Sequence, residues 1–296
     1  MLSLKDLYNN FRKKSLFPTI ADVEWRHAEI ASRLIQIHDT QIQNKLDLNN
    51  TQSESQNSII NFFKYLQPQQ ILSHEKIRVG HHADGGYVLL DDFNNIKLAL
   101  SLGIHNEDSW DRQIVSLGIP VKQYDFSISQ APTAHPLLSF NKLKVSGKAG
   151  DGCITLPDII RSSSLSESGS VLLKIDIEDS EWEVFDLCPS NYFSHFRQIA
   201  CEFHGLSRLS DTGFYTLAKR VVGKLNEQFI PYHVHANNYG SIINIANVVF
   251  PDVIEVSYAS KKHYDSIPSN EIFPTKLDYP NNPSSPDIFL GCFQFF

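Results

Sequence analysis

Two carboxylates stand two residues apart directly after an apolar run in the middle of the chain. The run Val171–Ile175 is followed by Asp176 and Glu178. Side chains two apart on a strand point to the same side. We therefore expect both carboxylates to face the region beyond the carboxyl edge of a sheet, where open α/β sheets bind ligands. Asp179 and Ser180 are instead expected to cap the helix that follows.

Polar residues also end two later strands. Glu202 and His204 close the fifth predicted strand, and His233 and His235 close the sixth. The ordinary pKa of an imidazole lies near neutrality, so a histidine at such a position can act as a general base. Residues at this edge that could position a substrate or move a proton form one candidate catalytic set: Asp176, Glu178, His204 and His235.

Two earlier strand ends have the residue types of a cofactor site. Gly103 follows a buried strand, and glycine allows a ligand to approach the backbone closely. The segment lacks the further glycines of a dinucleotide fingerprint, which favours a cofactor without phosphates. Asp125 ends the next strand about 22 residues later, a spacing typical of an acid that binds two ribose hydroxyls. Asp151 and Gly152 follow the third strand, where they form either a tight turn or part of an adenine site.

Composition excludes several classes of function. The chain has 296 residues and a formal net charge of -7, which argues against binding to nucleic acid. Four cysteines without CxxC spacing argue against a zinc ribbon or a disulfide scaffold and favour reduced thiols in the cytoplasm. The N-terminus lacks a secretory pattern, and no window approaches ~18 uninterrupted apolar residues, so we expect no transmembrane helix.

The elements that must position these residues alternate between strands and helices. Residues 1–70 are predicted to form an N-terminal helical extension that packs on the following domain or mediates self-association into a homo-oligomer. Residues 71–296 are predicted to form an α/β domain with a mostly parallel sheet, helices on both faces and an antiparallel edge. Predicted strands cover 96–102, 120–126, 143–145, 171–177, 198–203, 232–235, 253–258 and 291–296, and predicted helices cover 110–117, 156–162, 181–187 and 212–228.

Together these motifs resemble class I S-adenosylmethionine-dependent methyltransferases of the FkbM-like and related methyltransferase-like groups. The resemblance covers about residues 75–295 and rests on these segments: Arg78–Gly80, Asp84–Tyr87, Ser101–Ile104 with Glu107 to Asp111, Tyr124–Asp125, Leu173–Glu178 with Glu181–Trp182, Glu202 with His204, and His235–Asn238. It implies a seven-stranded Rossmann-like sheet. It also implies a cofactor site over Gly103 that includes Glu107, with Asp125 on the ribose, Asp151 and Gly152 near the adenine, and Asp176 near the methionine moiety. The chain departs from the family at His105 and Asp179, where glycines are common.

The resemblance implies methyl transfer to a hydroxyl of a glycan or a glycosylated small molecule. Asp176 and Glu178 would position the acceptor or the methionine amino group, and a histidine or a carboxylate would take the proton. One alternative is a divalent ion held by Asp176, Glu202, His204 and His235 that orients two acceptor oxygens. Another is a noncatalytic glycan-binding or scaffold protein that keeps the fold.

Overall fold

The computed structural model describes residues 26, 30 and 33 and the ranges 54–165 and 167–295. The N-terminal helical extension predicted before residue 54 thus lies almost entirely outside the described residues and stays a prediction. In the described ranges, no helix combines the length and the apolar character needed to cross a membrane.

The described chain contains fifteen named strands and six α-helices. The helices are α1 Glu54–Lys64, α2 Ser109–Ser116, α3 Leu156–Ser162, α4 Glu181–Leu187, α5 Ser190–Phe193 and α6 Thr212–Gln228, with a 3-10 helix at Leu206–Ser210. The strands are β1 Gln69–Ile71, β2 Lys76–Val79, β3 Tyr87–Leu90, β4 Leu98–Leu102, β5 Val121–Tyr124, β6 Leu138–Asn141, β7 Lys144–Val145, β8 Cys153–Ile154, β9 Val171–Ile175, β10 Phe196–Phe203, β11 Phe229–Ala236, β12 Ile242–Ile245, β13 Val248–Pro251, β14 Ile254–Ser260 and β15 Ser266–Pro268.

Seven strands form the central sheet in the order β11-β14-β10-β9-β4-β5-β6. The pairs from β10 to β6 are parallel, and β14 is antiparallel to both β10 and β11. The order turns back between β4 and β9, which creates the crevice where open α/β sheets bind ligands. The predicted mostly parallel Rossmann-like sheet with an antiparallel edge is confirmed.

Alternation along the strands separates two cores. Leu100 and Leu173 face a core that includes the buried side chains of α1, α3, α4 and α6. Ala99 and Leu172, one residue earlier on the same strands, face a second core with α2 and the β2–β3 hairpin. The sheet is therefore covered on both sides, as apolar strands of a parallel sheet require.

Helix α1 packs into the first core rather than standing apart from it. Ile59, Phe62, Phe63 and Leu66 are buried against the sheet's helices and strands. The compact unit accordingly spans Glu54–Phe296. Part of the segment assigned from sequence to the N-terminal extension thus contributes to the core of the α/β unit.

Two predicted strands differ from the structure. The strand predicted at 143–145 exists as β7, but it pairs with β8 in a separate two-stranded sheet, and the third strand of the central sheet is β6. β6 is a half-exposed edge strand, so its sequence lacks the apolar run of a central strand. Near the C-terminus, Gly291 forms a single bridge with Phe273, and positive φ angles at Gly291 and Phe293 interrupt the extended conformation.

Candidate active site at the carboxyl edge of the sheet

The ends of β4 and β9 meet at the point where the strand order reverses. Gly103 follows β4 with a φ of +76°. A Cβ at Gly103 would lie 1.6 Å from the carbonyl oxygen of Asp176. The Asp176 N–H donates to the carbonyl of Leu102 at 3.0 Å, which fixes the two chain segments together. Only glycine fits this close backbone approach.

Asp125 holds the turn that Gly103 begins. Its Oδ2 accepts from the N–H groups of Ile104 at 2.9 Å and His105 at 2.8 Å. Its Oδ1 accepts from the N–H and the hydroxyl of Ser127, at 2.7 and 2.6 Å. Burial alone would raise the pKa of Asp125, but these hydrogen bonds outweigh burial and lower it. Asp125 thus fixes the conformation of the turn that begins at Gly103. Its predicted contact with a ribose stays a prediction.

His105 and Asp179 adopt backbone conformations that favour glycine. His105 has a φ of +43°, and Asp179 has a φ of +72°. Both lie in the left-handed region, which costs an L-residue roughly 1–2 kcal/mol. Both positions therefore carry local backbone strain.

Other predicted cofactor residues lie further out. The half-buried Glu107 accepts from the N–H of Ser109 at 2.6 Å at the start of α2. Asp151 and Gly152 are exposed in the turn between β7 and β8. Contacts of these three residues with a cofactor stay predictions.

Glu178 does not continue strand β9. The strand ends at Ile175, and Glu178 has a φ of +52° with its side chain 88% exposed. The expectation that Asp176 and Glu178 share one strand face is therefore wrong. A left-handed turn nevertheless brings both carboxylates toward His204. Ser180 occupies the N-cap of α4 without a capping side-chain hydrogen bond, and Asp179 pairs with Arg208 instead.

His204 lies among four carboxylates. Its Nε2 is 3.5 Å from Glu202 Oε1, 3.6 Å from Glu178 Oε2 and 3.8 Å from Asp176 Oδ1. Its Nδ1 is 3.3 Å from Glu181 Oε1, although the two atoms lack hydrogen-bond geometry. Burial lowers the pKa of His204, but Glu181, Glu202 and Asp176 outweigh burial and raise it to about 10. The imidazole therefore carries a proton at neutral pH in this arrangement.

A row of polar side chains, which we call the polar row, crosses the sheet beside this cluster. It comprises Asp176, Glu202, Glu255 and His235. Glu255 pairs in register with Glu202 on one side and with His235 on the other. The Tyr87 hydroxyl of the hairpin lies 3.1 Å from Asp176 Oδ2 and 3.3 Å from Glu202 Oε2. Burial, reinforced by the charges of Asp176 and Glu255, raises the pKa of Glu202 well above its usual range.

His235 is held by its own partners at the far end of the polar row. Its Nδ1 lies 3.2 Å from Glu255 Oε2, and its Nε2 lies 3.1 Å from Asp287 Oδ1. Burial lowers the pKa of His235, but the carboxylates of Glu255 and Asp287 outweigh burial and raise it to about 10. Since both ring nitrogens are paired, neither is free to accept a proton. His233 is likewise buried, with its Nε2 2.8 Å from Asp278.

The segment 280–286 packs beside the far end of the polar row. Asn281 is buried and donates to Glu255 Oε1 at 2.6 Å and to Asp84 Oδ1 at 3.1 Å. The amide of Asn238 donates to three backbone carbonyls of this segment. These contacts hold the segment against the ends of β11 and β14.

Sequence reasoning gave no role to two buried ionisable groups near the end of β4. The Lys174 ammonium donates to the Gly103 carbonyl at 2.5 Å and lies 5.6 Å from the centre of the Tyr87 ring. Asp111 of α2 is buried near Ser101, and burial raises its pKa to about 6. A lysine within the apolar run of β9 was the available signal, because a buried charge needs a partner.

The side chains that could hold a metal differ from those predicted from sequence. Asp176, Glu181 and His204 each offer one ligand atom, and these three atoms lie within 4.8 Å of one another. The set of metal ligands predicted from sequence does not include Glu181, the first residue of α4. His235, which the alternative included, instead pairs with Glu255 and Asp287.

Comparisons with known proteins add little. Neither the known family models nor the curated proteins yield a match to this chain. Among solved structures, the chain is similar to a chain of a fibrillarin/Nop5p complex, with a TM-score of 0.36, 10% identity, and coverage of 66% of this chain and 98% of that one. It is also similar to spermidine synthase from Thermotoga maritima, with a TM-score of 0.32, 13% identity, and coverage of 72% and 89%. Scores this low assign no function, so the fold class rests on the strand order itself.

Proposed function

We propose that this protein is an S-adenosylmethionine-dependent methyltransferase that acts on a hydroxyl of a glycan or a glycosylated small molecule. The observation that carries the proposal is the joint between Gly103 and Asp176 at the switch point of the sheet, with Asp125 fixing the adjoining turn. Ligand binding at this point is the general behaviour of open α/β sheets. The preference for a sugar acceptor comes from the sequence resemblance.

The residues present fit this cofactor. Gly103 allows the ends of β4 and β9 to meet closely at the crevice, because a side chain there has no space beside the Asp176 carbonyl. A carboxylate has about four lone-pair sites, and Asp125 already accepts four hydrogen bonds. Ribose hydroxyls bound at Asp125 would therefore replace those from Ser127, which is exposed. Asp176, half-buried at the crevice, offers a carboxylate to a cationic amino group.

S-adenosylmethionine, when bound, supplies an electrophilic methyl group. The chain's own contribution is to position the acceptor oxygen and to take its proton. Asp176, Glu178 and His204 converge at the edge next to the crevice and are the residues suited to this work. The raised pKa of about 10 keeps His204 protonated, and His235 has both nitrogens paired, so Glu178 is the better candidate to take the proton, with His204 positioning it.

Calorimetric titration with S-adenosylmethionine tests the cofactor, and transfer of labelled methyl groups to glycosides tests the acceptor. We expect binding and transfer. In Glu178→Gln we expect turnover to fall at least ~10²-fold, within the range for general bases, with cofactor affinity unchanged. Full turnover in both His204→Gln and His235→Gln would eliminate a histidine base. The absence of cofactor binding would refute the methyltransferase proposal and favour a noncatalytic glycan-binding or scaffold protein.

We further propose a cytoplasmic location, supported by four cysteines that are all unpaired. We also propose self-association through the predicted N-terminal helical extension, most of which lies outside the described ranges.

A further inference from the structure

Three metal-ligating side chains from three elements meet at the edge of the sheet. Asp176 follows β9, Glu181 begins α4 and His204 follows β10. One ligand atom of each lies within 4.8 Å of the other two. Ligand atoms stand roughly 2.1 Å from a tetrahedrally coordinated divalent ion, so they lie about 3.4 Å from one another. The three side chains would therefore draw together by up to about 1.4 Å to bind the ion.

Glu181 provides an independent sign of a missing partner. Its side chain is 0% exposed. Oε1 accepts from the N–H of Ile177 at 2.6 Å, which satisfies the backbone near the start of α4. Oε2 is buried and has no hydrogen-bond partner among the described residues. Leaving a buried carboxylate oxygen unpaired is costly, and a cation between these side chains would remove that cost.

The surroundings favour a cation over a neutral ligand. Glu178 and Glu202 add two carboxylates within 3.6 Å of the other ring nitrogen of His204. Glu178 is 88% exposed, so the cluster is open to solvent on that side. One imidazole together with carboxylates is a donor set that suits Mn²⁺, Fe²⁺ or Zn²⁺, whereas Mg²⁺ and Ca²⁺ prefer oxygen ligands alone.

We propose that Asp176, Glu181 and His204 bind one divalent first-row transition-metal ion. The role of the ion rests on the proposed function: it would hold two neighbouring hydroxyl oxygens of the acceptor beside the crevice. A sugar diol chelates such an ion naturally, and coordination polarises the oxygen that is to be methylated. Glu181 takes the place that the sequence-based alternative gave to His235.

The test measures metal binding directly, without S-adenosylmethionine or an acceptor. Full-length protein is stripped with a chelator, dialysed and titrated with Mn²⁺ by calorimetry and electron paramagnetic resonance, and then with Zn²⁺. We expect one ion per chain. Glu181→Gln and His204→Gln should each weaken the affinity at least ~10-fold. Glu183→Gln is the matched control, because Glu183 lies on the same helix with an exposed side chain, and its affinity should equal that of the wild type.

Failure of the wild-type protein to bind either ion at millimolar concentration overturns the proposal, as does unchanged affinity in folded His204→Gln. If Glu181→Gln loses its circular dichroism signal and is therefore unfolded, the number of ions bound by the wild type and the affinity of His204→Gln still test the proposal. Titrating the same stripped protein with S-adenosylmethionine separates the two proposals. Cofactor binding without metal binding would refute the metal site and leave the methyltransferase proposal standing. Metal binding without cofactor binding would refute the methyltransferase proposal and leave the metal site standing.

Discussion

Replacing Gly103 with alanine tests the turn on which the proposed cofactor site depends. Two costs follow from the structure. The positive φ of +76° costs an L-residue roughly 1–2 kcal/mol. The new Cβ would also lie 1.6 Å from the Asp176 carbonyl, whereas real Cβ atoms stay beyond about 3.0 Å, so one segment must move by more than an ångström. Such a displacement at a reacting centre costs on the order of 10²-fold in rate.

Gly118 provides a matched control. Its φ is +80°, and a Cβ there meets no atom of the described residues within 4 Å. Gly118→Ala therefore bears the conformational cost without the overlap. We expect Gly118→Ala to lose roughly 1–2 kcal/mol of unfolding free energy in urea and to bind S-adenosylmethionine like the wild type. Gly103→Ala should lose more stability and at least ~10²-fold in cofactor affinity and turnover. Wild-type cofactor affinity in a folded Gly103→Ala would refute the reasoning.

Three further results are expected. Asp179→Gly should relieve roughly 1–2 kcal/mol of left-handed strain and lose a half-exposed ion pair with Arg208 worth about 0–1 kcal/mol. The free energy of unfolding in urea should therefore stay equal or rise. A clear decrease would mean that Asp179 is not strained. His235 has a folded pKa of about 10 and an unfolded value of about 6.5, so its stabilising contribution is complete below pH ~6.5 and is lost as the pH rises toward 10. His235→Gln should flatten that decline by up to about 1.4 kcal/mol per pH unit, and an unchanged slope across pH 6–10 would contradict the pairing with Glu255 and Asp287. Tyr87→Phe removes the hydroxyl between Asp176 and Glu202 and should cost about 1–3 kcal/mol in the same assay; no loss would show that these carboxylates do not need it.

The elements with strong periodicity follow from sequence. Helices α3, α4 and α6 begin and end where the sequence predicted, and the apolar runs of β4, β9 and β10 form the centre of the sheet. These segments combine clear apolar spacing with helix-start and helix-end residues, so local preference and burial agree. The half-exposed edge strand β6 was missed because its sequence carries only a weak form of the same signal.

The sequence by itself determined which strand ends carry polar residues, because a strand's direction and its apolar pattern fix which residues reach the carboxyl edge. It also placed Gly103 and Asp125, whose spacing reflects one strand–helix unit. Only the tertiary structure decided which polar groups meet. Glu181 joined His204 because a left-handed turn at Glu178 and Asp179 redirects the chain, and Asp287 reached His235 from 52 residues away. Such pairings depend on long-range packing and on the cost of leaving a buried charge unpaired. Neither effect produces a local pattern in the sequence.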